Sequence, residues 1–127
     1  MFISKIHHAA IICSDYHVSK EFYVNTLGLP IISETYRADR ESYKLDLQVG
    51  ESQIELFSFQ DPPARPSYPE ARGLRHLAFS VSSIDRAITS LSAKGIQVEP
   101  VRVDPLTGKR FTFFADPDGL PIELYED

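Results

Sequence analysis

At 127 residues, with 43% hydrophobic and 24% charged positions, the chain has the size and make-up of one soluble globular domain. Thirteen basic against eighteen acidic residues, a net charge of -5, argue against the basic face that nucleic-acid binding requires. No basic and apolar leader is visible, no apolar run approaches the ~20 residues of a membrane helix, and the single Cys13 has no partner for an internal disulfide, so a cytoplasmic protein is expected.

The first predicted element is a short apolar strand in IHHAAII, followed by Ser14-Asp15, residues suited to an N-cap. The helix they open carries Val18, Phe22 and Tyr23, and Gly28 stands where a helix C-terminus needs a left-handed residue. Strands are predicted at about 30–37, 43–49 and 52–59, with Val49-Gly50-Glu51 as a turn. Prolines 62, 63, 66 and 69 remove backbone donors and fix φ, so residues 60–73 read as a linker, long enough to double as a lid. A strand, RHLAFSV, resumes the pattern. Ile84, Ala87, Ile88 and Leu91 then form an amphipathic helical stripe ended by Lys94-Gly95. Strands near 97–103, 109–115 and 120–125 close the chain, joined by turns at Leu106-Thr107-Gly108 and Asp116-Pro117-Asp118-Gly119.

The order is the same on both sides of the linker, and so are some of the residues. HAAIICS at 8–14 returns as HLAFSVS at 76–82, and IELF at 54–57 as IELY at 122–125, each after 68 residues. The chain thus reads as two copies of a βαβββ module, 1–59 and 74–127, in one α+β domain, each too small to stand alone. Strand side chains alternate between faces, so Ile54 and Leu56 point away from Glu55, and Ile122 and Leu124 away from Glu123. His8 and His76 hold matching places on the first strand of each module, 47 residues before their glutamates.

A strand histidine alone is usually structural, and a glutamate in an alternating strand is usually its polar side. The repeated joint spacing changes that assessment. Two carboxylates facing each other in a cavity would force one to protonate, and a divalent cation removes that conflict. Two imidazoles and two carboxylates, from His8, Glu55, His76 and Glu123, suit Zn, Ni, Co, Mn or Fe. His7 should face away and His17 should be exposed. Cys13 reads as a small core residue; Tyr43, Phe111 and Phe113 are candidates for the core or the cavity wall. Arg65, Arg72, Arg75, Lys109 and Arg110 are either solvated charge or recognition groups for an anionic substrate.

With these residues in view, HHAAIICSDYHVSKEFYVNTLGL, RHLAFSVSSID and FTFFADPDGLPIELYE resemble the vicinal oxygen chelate superfamily of glyoxalase I, bleomycin-resistance-like proteins and extradiol dioxygenases. The resemblance covers essentially the whole chain and is strongest to small bacterial YaeR-like glyoxalase-family proteins. It implies a glyoxalase-like fold, a curved and incomplete β-barrel with the metal in its cavity. His8, Glu55, His76 and Glu123 match the glyoxalase I ligands, whereas dioxygenases and fosfomycin-modifying relatives usually use two His and one Glu. Glutathione-using glyoxalases usually carry arginine four residues after the first ligand histidine and asparagine four after the first ligand glutamate. Here Ile12 and Phe59 stand there, so the glutathione clamp is not reproduced.

The expected activity is a metal-dependent lyase or isomerase (lactoylglutathione lyase-like) acting on a small substrate with adjacent oxygens through an enediolate-type intermediate. Glu123 or Glu55 would be the base, with Glu123 favoured by the resemblance. The alternatives are an extradiol-type dioxygenase, which would consume oxygen, and a metal-free small-molecule-binding protein of resistance type. The resemblance also implies a homodimer, with ligands drawn from one chain or from two.

Overall fold

The computed structural model describes residues 1–127 and falls into two compact units, Met1–Ala64 and Arg65–Asp127. In the first, strand β1 (His8–Cys13) leads through Asp15 into helix α1 (Tyr16–Glu21), which continues as a π-turn over Phe22–Thr26. The Asp15 side chain accepts the Val18 N–H, satisfying one of the open donors of the first turn. Gly28 ends the element at φ +75°, backbone that a Cβ would strain. Strands β2 (Ile31–Arg37), β3 (Ser42–Val49) and β4 (Ser52–Ser58) follow, and the sheet runs β1-β4-β3-β2 with β1 parallel to β4.

The second unit repeats this design. Strand β5 (Leu77–Val81), helix α2 (Ile84–Ala93) and strands β6 (Arg102–Val103), β7 (Arg110–Ala115) and β8 (Pro121–Glu126) give the order β5-β8-β7-β6, with β5 parallel to β8. The predicted amphipathic stripe faces the sheet, with Ile84 and Leu91 buried. Ser83 caps α2 by accepting the Arg86 N–H. Glu126 accepts the Ile84 N–H at 2.9 Å, and Arg110 bridges Glu126 and Asp85 at 3.2 and 3.1 Å, tying the end of β8 to the start of α2.

The core of each unit is the helix-facing side of its sheet. Leu45, Leu47, Ile54 and Leu56 are buried in the first unit, Phe114, Ile122 and Leu124 in the second. Each such side chain contributes about 1.5–3 kcal/mol of transfer free energy.

The predicted strand near 97–103 is shorter than expected, only Arg102 and Val103 pairing with β7. Glu99 N–H still bonds Phe113 O at 2.9 Å, but Pro100 has no N–H to offer and breaks the ladder between them. The predicted linker is also divided unevenly: residues from Arg65 onward pack with the second unit. There Arg65 donates to Ser67 Oγ and to the carbonyls of Leu74 and Arg75, drawing the ends of the proline-rich excursion together. No helix is long and apolar enough to cross a membrane.

Candidate metal centre

In the first unit the register sets His8 opposite Gln53 and Ala10 opposite Glu55, so His8 and Glu55 are diagonal neighbours on one face of a parallel pair. His8 Nε2 lies 3.5 Å from Glu55 Oε1. The second unit builds the same diagonal, with Ala78 opposite Glu123 and His76 just ahead of β5, and His76 Nε2 lies 3.3 Å from Glu123 Oε2. Both glutamate side chains are 14% exposed, the histidines 40% and 28%.

These separations bear on whether the donors fit a metal. A well-formed N–H···O bond would bring N and O to about 2.7–3.2 Å. Two donors each ~2.1 Å from one ion at roughly right to tetrahedral angles stand about 3.0–3.5 Å apart. Both pairs have that bite. Neither pair has a third His, Cys, Asp or Glu placed to complete a metal site beside it.

The surroundings of the two pairs differ. Glu55 faces Asp46 across β3, and Lys44 Nζ lies 3.7 Å from Glu55 Oε2 and 3.5 Å from Asp46 Oδ1. Directly opposed like charges are unfavourable, and the ammonium between them offsets that cost. Ser33 Oγ donates to Asp46 Oδ2 at 2.8 Å, while the buried Oδ1 has no hydrogen bond and only the ionic contact to Lys44. His8 Nδ1 is 2.9 Å from His7 Nδ1, so one of the two nitrogens carries the proton. With Nε2 of His8 free to ligate, its Nδ1 is the donor and His7 the acceptor, which orients the ring. His7, expected to face away from His8, has its ring in contact with that of its neighbour.

Glu123 faces Phe113 instead of a carboxylate, and no lysine or arginine pairs with it. The Phe113 ring meets His76 edge to face at 5.1 Å, and the Arg102 guanidinium carbon lies 5.0 and 5.5 Å from the Phe111 and Phe113 ring centres.

The remaining candidates divide. Phe113 flanks the second pair, and Phe111 lies beyond it, 6.2 Å from the Phe113 ring. Tyr43 lies on the helix side, stacked on Tyr16 at 4.2 Å, where His17, exposed as expected, meets both rings edge on. Burial and a hydrogen bond to Glu34 push the Tyr16 phenol well above its ordinary value, so it remains a neutral donor. Cys13 is buried and its thiol donates to Phe57 O at 3.3 Å. Arg110 is committed to Asp85 and Glu126, which makes it structural, and Lys109 and Arg72 are exposed. Ile12 and Phe59, in place of the glutathione clamp, are 54% and 39% exposed. Lys44, Asp46 and Arg102 were not singled out by sequence; Lys44 and Asp46 share a strand face, but only the pairing of β3 with β4 puts that face beside Glu55.

Residues 5–124 match the family model described as Glyoxalase/Bleomycin resistance protein/Dioxygenase superfamily. The chain is 65% identical to YwkD of Bacillus subtilis (strain 168) over 99% of each chain. It is 58% identical to YaeR of Escherichia coli (strain K12) over 98% of this chain and 97% of that one, in keeping with the resemblance above. The crystal structure of a glyoxalase family protein from Enterococcus faecalis matches with a TM-score of 0.91 at 52% identity, over 99% of this chain and 100% of that one.

Proposed function

Because this chain belongs to the glyoxalase/bleomycin resistance protein/dioxygenase superfamily, we propose that it is a metal-dependent lyase or isomerase of the glyoxalase type. The substrate is a small molecule with adjacent oxygens, and the protein ligands of one divalent ion are His8, Glu55, His76 and Glu123. One observation carries this reading: two His–Glu pairs, one per module, each held at the separation of neighbouring donors on one ion.

When bound, such an ion polarises the adjacent oxygens of the substrate and acidifies the carbon-bound proton beside them. The chain's own residues supply the rest. His7 orients His8, and Phe113 packs against His76. Glu123 moves the proton from one carbon to its neighbour. Its place opposite Phe113, with no lysine or arginine paired to it, supports this choice over Glu55, whose second oxygen lies 3.7 Å from the Lys44 ammonium. Ile12 and Phe59 offer no polar grip on glutathione, so the reading is a thiol adduct of another kind or a substrate without one.

The test combines metal analysis of the purified protein with a screen of 2-oxoaldehyde adducts of several thiols. One ion per four ligands, lost on chelation together with turnover, is the expected result. Protein that takes up no divalent metal on reconstitution, or that consumes oxygen with a catechol-like diol, would replace the proposal by a binding protein or a dioxygenase.

A further inference from the structure

The second unit holds a cavity of about 330 Å³ bordered by His76 and Phe113 on one side and by the proline-rich excursion on the other. Every residue lining it belongs to Arg65–Asp127. Its volume falls in the range of small-ligand sites. Three guanidinium groups border it: Arg65, Arg75 and Arg102.

Each arginine has a different standing. Arg65 spends Nε and Nη2 on Ser67 Oγ and on the Leu74 and Arg75 carbonyls, which fixes the wall. Arg75 has its carbonyl held in this way, directly before His76, while its side chain has no polar partner. The guanidinium carbon of Arg102 lies 5.0 and 5.5 Å from the Phe111 and Phe113 ring centres, and its one ion pair, to Glu99 at 3.3 Å, is more than half exposed on both sides. An exposed pair of that kind exchanges readily for a better acceptor. A guanidinium held against aromatic rings still has N–H donors to offer a carboxylate or phosphate in bidentate fashion. Glu70 and Glu99 also border the cavity, so the positive excess is small. That balance suits a compact anion and disfavours a polyanion.

We propose that this cavity takes the anionic end, a carboxylate or a phosphate monoester, of a small molecule whose other end meets His76, with Arg75 and Arg102 as the recognising groups. The placement of the reacting end rests on the function proposed above; the anion site itself does not require a metal. A substrate of this class would be held by module two alone at its charged end, in place of the missing glutathione clamp.

Chelator-treated protein is titrated with benzoate, phenyl phosphate and the neutral benzyl alcohol, followed by the NMR signals of the arginine side chains and of amides 71–76. At least one of the two anions shifts them saturably, benzyl alcohol does not, and whichever anion binds more tightly identifies the headgroup. Losing one charge-assisted contact weakens binding about tenfold in Arg75→Gln and in Arg102→Gln. Arg102→Lys, which keeps the charge, loses less, and Arg86→Gln on α2 changes nothing. Equal binding of the alcohol, an equal loss in Arg86→Gln, or no saturable binding of either anion overturns the proposal. Metal uptake, measured separately on the same variants, distinguishes the two readings: no metal with intact anion binding retires only the metal centre, and the reverse retires only the anion site.

Discussion

The two modules carry the same pair of donors in opposite surroundings. Around Glu55 the first module gathers Lys44 and Asp46; around Glu123 the second gathers Phe113, with Phe111 and Arg102 beyond it. The histidines diverge likewise, His8 resting on a ring nitrogen of His7 and His76 on the edge of Phe113. A donor pair needs only its own two side chains at the right separation, so a duplicated strand pair can keep it while every neighbour changes. On the proposed function the neighbours distinguish the two carboxylates: Glu55 has the Lys44 ammonium beside it, and Glu123 has the Phe113 ring and no paired cation.

The comparison breaks most readily at the glutamates. Glu123→Gln is expected to lower turnover by ~10²–10⁴-fold, the usual contribution of a placed base, with most of the metal retained. Glu55→Gln is expected to cost more in metal content than in turnover per bound ion. Steady-state kinetics alongside elemental analysis checks both, and a Glu123→Gln enzyme with full metal and normal turnover would reverse the assignment.

The cores come next. Ile54→Ala and Ile122→Ala remove buried side chains at equivalent positions, and each should cost about 2–5 kcal/mol in urea denaturation. A large loss in one module and none in the other would show that only one of the two helix-facing sides is well packed.

Smaller still is the effect of Lys44. Lys44→Met leaves Glu55 and Asp46 opposed with no cation between them. The chelator-treated protein should then be less stable by about 1 kcal/mol or less, because the lysine is partly exposed. Metal should bind more tightly, because the repulsion of the ammonium is gone. Competitive titration against a metal indicator reads the second effect. The caps have a similar magnitude: Asp15→Ala and Ser83→Ala should each cost about 1 kcal/mol.

The mildest test is pH. Arg110 and the Ile84 N–H hold the Glu126 carboxyl below the ordinary glutamate value, as Lys20 and Tyr16 hold Glu34 in the first module. A depressed folded-state value means that the unfolded chain takes up the proton first. The stabilisation is complete above the ordinary glutamate range of about pH 4–5 and is lost as pH falls through and below it. Glu126→Gln should flatten this acid limb in thermal melts as a function of pH. An unchanged slope would show that the Arg110–Glu126 contact contributes nothing in solution.

Much of this organisation is legible without coordinates. The return of His and Glu after 68 residues, 47 positions apart each time, marks the two modules and their His–Glu pairs, because the same spacing recurs in both halves. Alternation along a strand then separates Glu55 and Glu123 from the core side chains beside them. The Asp15 and Ser83 caps and the apolar stripe of α2 are equally local, so chain position alone reveals them.

What lies across a strand boundary is different. That Asp46 opposes Glu55 and Phe113 opposes Glu123 depends on hairpin register, and a shift of one residue would replace both. The interruption at Pro100, the attachment of Arg65 to the second unit and the contact of Arg102 with two phenylalanines are also set by partners beyond the local strand pattern. The sequence by itself determined two modules and one His–Glu pair in each, since both follow from local periodicity and repetition. Only the tertiary structure decided which pair sits among charges and which among rings, because that is a matter of lateral neighbours, and lateral neighbours are chosen by packing and register.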